Sequence, residues 1–255
     1  MLLRLQAQQL EGCDDPPTNV LASTCAEACI LCTDLDGYTA DNDVNVVGVP
    51  PPQFCPTGYH NIRWLGFVAE TTDLELEVTV FDCTGLFDDD NDGLSDGLQV
   101  GIYSTTDCVN FTEVADCVFQ LEETMTATFT NNQPLIPGSV YFIVVDGFNG
   151  DVCSFTVNVT QGSAMAPEVA QVVPVINAPT ETCPGGEIDI SVGLVDGAGI
   201  YEWTLNGNVI ATDFESTLQM PTTGGEYELC VTPRNPCSEG ITACQTITVA
   251  EPEII

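Results

Sequence analysis

The chain has 255 residues, with 38 Asp and Glu against three Arg (Arg4, Arg63 and Arg234), no Lys and a single His (His60), for a formal charge of -35 at pH 7. A partner rich in phosphate needs cations to meet it, so nucleic acid and anionic membrane surfaces are excluded, and no apolar run reaches the roughly 18 residues of a membrane span. With 44% hydrophobic and only 16% charged residues the chain still has material for real cores, and its length suits two domains.

Thirteen Cys beside one His point to disulfides rather than metal-thiolate sites, and hence to an oxidising, extracellular setting. Residues 1–12 are set aside as a terminal segment or linker. Met1-Leu2-Leu3-Arg4-Leu5 lacks the basic start and long apolar run of a signal peptide. Both ends read as cut from something longer, with 251–255 a linker to a following segment. From 13 to 32 four Cys lie in an Ala-rich stretch with room for a helical turn or two. Beyond it the pattern is β. Leu74, Leu76, Val78 and Val80 alternate with Glu75, Glu77 and Thr79, the period of a half-buried strand. The same rule predicts strands over 62–70, 98–103, 118–129, 139–145 and 153–159, separated by Asp/Gly/Asn/Pro turns. The first domain, 13–162, is expected to be an antiparallel sandwich or jelly roll.

The pattern breaks at Gln161-Gly162-Ser163-Ala164-Met165-Ala166-Pro167, and a second domain, 163–250, follows. Its predicted strands are 168–176, 187–193, 200–206, 214–219, 226–232 and 242–249, spaced as in an immunoglobulin-like sandwich. Trp203, with Tyr201 and Leu205 on its face, takes the place of a core indole. Tyr227, after Gly224-Gly225, resembles a tyrosine corner. With Tyr227, Leu229 and Val231 inward, Cys230 faces outward; a hairpin centred near Cys237 sets it opposite Cys244, also outward, for a cross-strand bridge. Elimination then leaves Cys183 to join Cys237, although three connectivities stay open. Cys108 and Cys117 bracket a short segment that a local bridge would close. The first domain holds nine Cys, so at least one has no partner within it. Cys25-x3-Cys29-x2-Cys32 has half of a zinc spacing but no second cluster, which again favours disulfides.

The sharpest motif is Asp88-Asp89-Asp90-Asn91-Asp92-Gly93-Leu94-Ser95-Asp96. Carboxylates at alternate positions of a tight loop converge on one point, as a hard cation with six to eight oxygen ligands requires, and Gly93 allows the turn. Asp88, Asp90, Asp92 and Asp96, with the carbonyl of Leu94, are the expected Ca2+ ligands. Gln99 stands where an EF-hand places its bidentate Glu, so the EF-hand is incomplete, and the spacing resembles thrombospondin type 3 repeats. Two further acidic turns, Asp34-Leu35-Asp36-Gly37 with Asp41 and Asp43, and Asp146 to Asp151, are weaker cation candidates that turn formation also explains. Catalysis has little support: one imidazole, no G-x-S-x-G and no H-E-x-x-H. Trp64, Tyr103 and Phe148 are candidates for stacking on sugar rings, against core packing as the plainer reading.

Cys32-Thr33-Asp34-Leu35-Asp36-Gly37-Tyr38, His60-Asn61-Ile62-Arg63-Trp64, Gly97 to Tyr103 and Pro137 to Gly147 resemble secreted multidomain surface proteins of Bacteroidota exported by the type IX system. The last stretch is also similar to bacterial pre-peptidase C-terminal domains, and residues 168–250 resemble the PKD/Ig-like repeats of the same surface proteins. The resemblance implies an all-β, disulfide-rich chain of two tandem β-sandwiches, serving as a structural or adhesive module pair of a surface filament or adhesin. Its partners would be neighbouring domains or subunits of one assembly, as a homo-oligomer or polymer. The alternative is a glycan-binding accessory module of a secreted enzyme, using Trp64 and Tyr103 on cell-surface glycans.

Overall fold

A computed structural model describes residues 12–13, 21–42, 48–55, 58–84 and 96–251, and contact density divides the chain into two units between Ala166 and Pro167. The fold is all-β. The first unit contains β1 (Gly12–Cys13), β2 (Ile30–Leu31), β3 (Tyr38–Asp41), β4 (Arg63–Val68), β5 (Glu75–Thr84), β6 (Leu98–Ser104), β7 (Thr112–Leu121), β8 (Thr126–Thr130), β9 (Val140–Gly147) and β10 (Val152–Gln161). They build a six-stranded sheet in the order β1-β2-β4-β9-β6-β7 and a four-stranded sheet in the order β3-β10-β5-β8. Alternation in β5 sends Leu76, Val78 and Val80 into the core with Phe155 and Val157 of β10, while Leu65, Phe67, Val100, Ile143 and Val145 enter it from the larger sheet.

The expected strand over 118–129 is two strands. Glu122 to Met125 form a turn in which Thr124 has φ 72°, and β7 and β8 belong to different sheets. The sequence pattern is continuous there because both strands put apolar residues into the same core.

The larger sheet is buried on both faces. The outward residues Trp64, Gly66 and Val68 of β4, Gln99, Gly101 and Tyr103 of β6, and Phe142 and Val144 of β9 are all buried. The Cys-rich chain covers them. Ala22 bridges Trp64, Val49 accepts the Trp64 Nε1–H at 2.9 Å, and Phe54 and Phe111 pack against Tyr103 and Trp64. Gly66 permits this approach, because a Cβ there would run into the Ile30 side chain. The layer has one 3-10 turn, Cys25–Glu27, and is tied across the sheet by Cys25–Cys108 and Cys55–Cys117. Cys108 is presented at φ 53° by a turn in which Asp107 accepts the N–H groups of Val109 and Asn110. Those bonds, Asn110 first, hold the Asp107 carboxyl down at about 2. A local Cys108–Cys117 bridge is therefore not formed: each of these residues pins the covering layer instead. Cys13–Cys29 and Cys83–Cys153 are two further bridges of this unit, and Cys32 is disulfide-bonded as well.

The second unit contains β11 (Ile176–Asn177), β12 (Glu181–Thr182), β13 (Glu187–Val192), β14 (Ile200–Leu205), β15 (Asn208–Ala211), β16 (Glu215–Gln219), β17 (Gly225–Arg234) and β18 (Ala243–Val249). A sheet β11-β13-β16 faces a sheet β12-β18-β17-β14-β15. The strand expected over 168–176 reduces to β11, because Pro174 has no N–H to give a ladder. β15, not expected, follows from Asn206-Gly207, whose φ values of 48° and 75° suit a two-residue hairpin turn.

Trp203 is fully buried and donates Nε1–H to the Asp213 carbonyl at 2.8 Å. The Tyr227 hydroxyl donates to the Thr223 carbonyl at 3.0 Å, which makes the tyrosine corner. Cys230 stands opposite Cys244 and is bonded to it, as the alternation of β17 and β18 requires. Cys183 is exposed and carries no bridge, so the Cys183–Cys237 pairing is not made; the two belong to separate turns at strand ends. Trp203→Ala is expected to cost about 3–5 kcal/mol and Tyr227→Phe about 1 kcal/mol, the former a filled core position and the latter one hydrogen bond. Urea unfolding of both variants measures this, and equal losses would contradict the assignment.

Candidate functional site

The acidic motif lies between β5, which ends at Thr84, and β6, which begins at Leu98. Asp88, Asp90, Asp92 and Leu94 lie outside the described residues, and Asp96 lies inside them at 3% exposure. Two features of the β9–β10 connection reach this point. The Asp151 carboxylate accepts the Gly97 N–H at 3.2 Å, and Gly97 in turn accepts the Phe148 N–H at 3.0 Å. On the other side Val152 pairs with Thr84, next to the Cys83–Cys153 bridge.

Around these residues lies a buried polar cluster. Asn42 and Asn61 each donate to the Asp151 carbonyl, at 2.9 and 3.0 Å, and accept the N–H groups of Cys153 and Gly147. Asp146, fully buried, accepts the N–H groups of His60 and Asn61 at 2.9 and 2.7 Å and the Gln99 amide at 2.9 Å, with His60 Nδ1 3.9 Å away. Burial pushes the Asp146 carboxyl up, and these donors, led by His60 N–H and Asn61 N–H, oppose the shift. The one His of the chain is thus a hydrogen-bonded residue at the start of β4. Gln99 also donates to the Gly58 carbonyl at 2.8 Å, so one amide ties β6 to β9 and to the approach to β4.

Asp151 reaches the end of the acidic motif through the backbone, its carboxylate accepting the N–H of Gly97, the residue after Asp96, while the Asp96 carboxylate accepts the Gln120 amide at 3.4 Å. The other acidic turn spends its carboxylates on the fold: Asp34 accepts the Asp36 N–H, Asp36 the Val159 N–H and Asp41 the Ser154 hydroxyl. The hydrogen-bonding roles of Asn42, Asn61 and Gln99 are revealed only by the fold.

Trp64 and Tyr103 do not form a sugar-stacking face. Each is at 1% exposure beneath the disulfide-tied layer, Trp64 packed on Phe111 and edge-on to Phe142, Tyr103 6.3 Å from Phe54. Packing, the plainer reading of these two residues, holds, while stacking on sugar rings does not: the outward face of a sheet is exposed only when nothing covers it. Burial, with Glu113 adding to it, also pushes the Tyr103 hydroxyl well above its usual range.

No family model matches the chain, and no curated protein matches it. Among solved structures it is similar to the fibronectin(III)-like modules of Clostridium thermocellum CbhA, at 14% identity over 72% of this chain and 88% of that one, with a TM-score of 0.28. It is also similar to the FN1–FN3 domains of chicken CNTN1, at 12% identity over 60% and 57% with a TM-score of 0.30, and to an amphioxus IgVJ-C2 molecule, at 15% identity over 68% and 96% with a TM-score of 0.23. These are β-sandwich modules, and likeness at this level says nothing of function.

Because Asp146 titrates above the ordinary Asp value in the folded state, its contribution to stability is full below about pH 4 and is lost as pH rises through the folded value. Asn does not ionise. The stability cost of Asp146→Asn is therefore expected to be larger at pH 4 than at pH 7. Urea titrations at both values test this; a cost that grows with pH would reverse the assignment.

Proposed function

We propose that the chain is an extracellular structural or adhesive module pair of a surface filament or adhesin, stiffened by disulfides and by Ca2+, without catalysis. The observation that carries the reading is the covered sheet: aromatic and polar side chains that an open binding face would display are spent on holding a disulfide-tied layer. Several disulfides accord with an oxidising compartment, and among the described residues no helix is long and apolar enough to cross a membrane. Assembly into a homo-oligomer or polymer, export by the type IX route and kinship with Bacteroidota surface proteins are parts of the proposal and rest on the sequence resemblance.

Ca2+ fits the donors that stand at the end of the 88–96 loop. Asp96 and Asp151 are buried carboxylates, with oxygen donors only and no thiol or imidazole among them, which is the chemistry of a hard cation. Asp88, Asp90, Asp92, Asp96 and the Leu94 carbonyl would hold the ion. Bound there, Ca2+ would neutralise repulsion among near-adjacent carboxylates and order the loop. Glycan binding by an accessory module of an enzyme is the reading that burial of Trp64 and Tyr103 disfavours.

Electron microscopy of the native cell surface with a labelled antibody to this chain tests the assembly: a periodic fibre or surface array supports the proposal, and a dispersed secreted protein with glycan affinity overturns it. For the ion, millimolar Ca2+ is expected to raise the Tm and to shield the 88–96 loop from an Asp-directed protease, and EDTA to reverse both. In Asp88→Asn/Asp90→Asn neither response should remain; unchanged melting and cleavage of the natural chain with EDTA would remove Ca2+ from the reading.

A further inference from the structure

The outward face of β17 and β18 carries a donor set on which the module reading does not depend. Among the described residues, Glu228, Cys230 and Cys244 form the group of three potential metal ligands whose donor atoms lie within 4.8 Å of one another. The two sulfurs are bonded, and this bridge is more open than those of the first unit: Cys25–Cys108, Cys55–Cys117 and Cys83–Cys153 each include a Cys at 8% exposure or less, and both Cys of Cys13–Cys29 are half-buried, whereas Cys244 is exposed and Cys230 half-buried. The ladder also joins the same two strands without the bridge. The pairs from Gly225↔Val249 to Val231↔Ala243 hold β17 to β18, and Leu229, Val231, Ile247 and Val249 are buried on the opposite face.

We propose that Cys230 and Cys244 are a reducible pair, and that in the reduced state they bind Zn2+ or a similar thiophilic divalent ion together with Glu228. The reductant is a dithiol. Its thiolate attacks the exposed Cys244 Sγ, the Sγ–Sγ bond breaks and Cys230 leaves as a thiolate; the second thiol of the reductant then displaces Cys244, so that two electrons enter the chain and the reductant ends as a disulfide. The metal takes the place of the thiol protons.

The donor chemistry selects the ion. Two thiolates and a carboxylate suit Zn2+ rather than Ca2+. With Zn–S near 2.3 Å and Zn–O near 2.0 Å, tetrahedral donors sit about 3–4 Å apart, so the sulfurs need only part from bonding distance by side-chain rotation while Glu228 is already in range. Water fills the fourth position, which leaves an open site of the three-ligand kind.

The experiment uses the full chain with Cys183→Ser, to remove the unbridged thiol. Graded dithiothreitol, alkylation of the thiols and peptide mass mapping identify which bridge opens first. Zn2+ is then titrated against a chromophoric chelator, and Cd2+ is followed by its thiolate absorbance, with far-ultraviolet circular dichroism as the check on the fold. Expected are first opening of Cys230–Cys244, retained strand signal and one equivalent of metal. Glu228→Gln should weaken binding by about tenfold or more, since even groups behind a ligand are worth that much. Cys230→Ser/Cys244→Ser should bind none while remaining folded. Opening only after the buried bridges, loss of the strand signal on opening, or equal metal uptake by the double Ser variant would each overturn the proposal.

Discussion

A sheet buried on both faces has to be covered twice, and in the first unit the second cover has almost no secondary structure with which to hold itself. The segments 21–29 and 48–55 contain a single 3-10 turn, and they lie on the β4-β9-β6 face through a few backbone contacts, a Trp indole bond and two bridges. An irregular chain of this kind loses conformational entropy of about 1–2 kcal/mol per residue on ordering. Cys25–Cys108 and Cys55–Cys117, spanning 83 and 62 residues, remove part of that loss from the folding step by restricting the unfolded chain. The buried aromatic face and the long bridges therefore depend on each other.

Charge explains why covalent bonds carry so much of this. Of the Arg residues described, Arg63 is buried and Arg234 pairs with Glu202 at 3.2 Å, and there is no Lys to form surface ion pairs. Two buried carboxylates receive neutral donors. Asp146 receives two backbone N–H groups and a Gln amide, and Asp151 receives the Gly97 N–H. Hydrogen bonds to an ionised group are the stronger kind, and they do not weaken with salt as exposed ion pairs do. A chain that carries a charge of -35 is thus suited to ionic media in which its self-repulsion is screened.

The legible parts of the sequence were those governed by period two. Alternation placed β5, β10, β13, β17 and β18 and turned Cys230 and Cys244 to the same outward face, because in a strand the direction of one side chain fixes that of the next. What alternation cannot say is whether an outward face is wet. Trp64 and Tyr103 lie on the face of the larger sheet that points away from the sandwich core and are still buried, since their cover comes from 21–29, 48–55 and Phe111, which have no periodicity to read. The long-range pairings Cys25–Cys108 and Cys55–Cys117 were hidden for the same reason. In the site, the acidic motif was visible as spacing, while Asn42, Asn61 and Gln99 became visible only through the backbone groups they join across more than 40 positions. Asn206-Gly207 was the missed signal that the sequence did contain: a two-residue turn between β14 and β15.

The two ends of the acidic loop are fixed by one short piece of chain. Before it, Thr84 pairs with Val152 beside Cys83–Cys153; after it, Gly97 binds both Asp151 and Phe148. The β9–β10 connection therefore fixes where Thr84 and Gly97 stand relative to each other. The same connection is held by Asn42 and Asn61 and continues from Asp146, which anchors the approach to β4. Thus the 148–153 turn couples Thr84 and Gly97 to the strand beneath the Cys-rich layer.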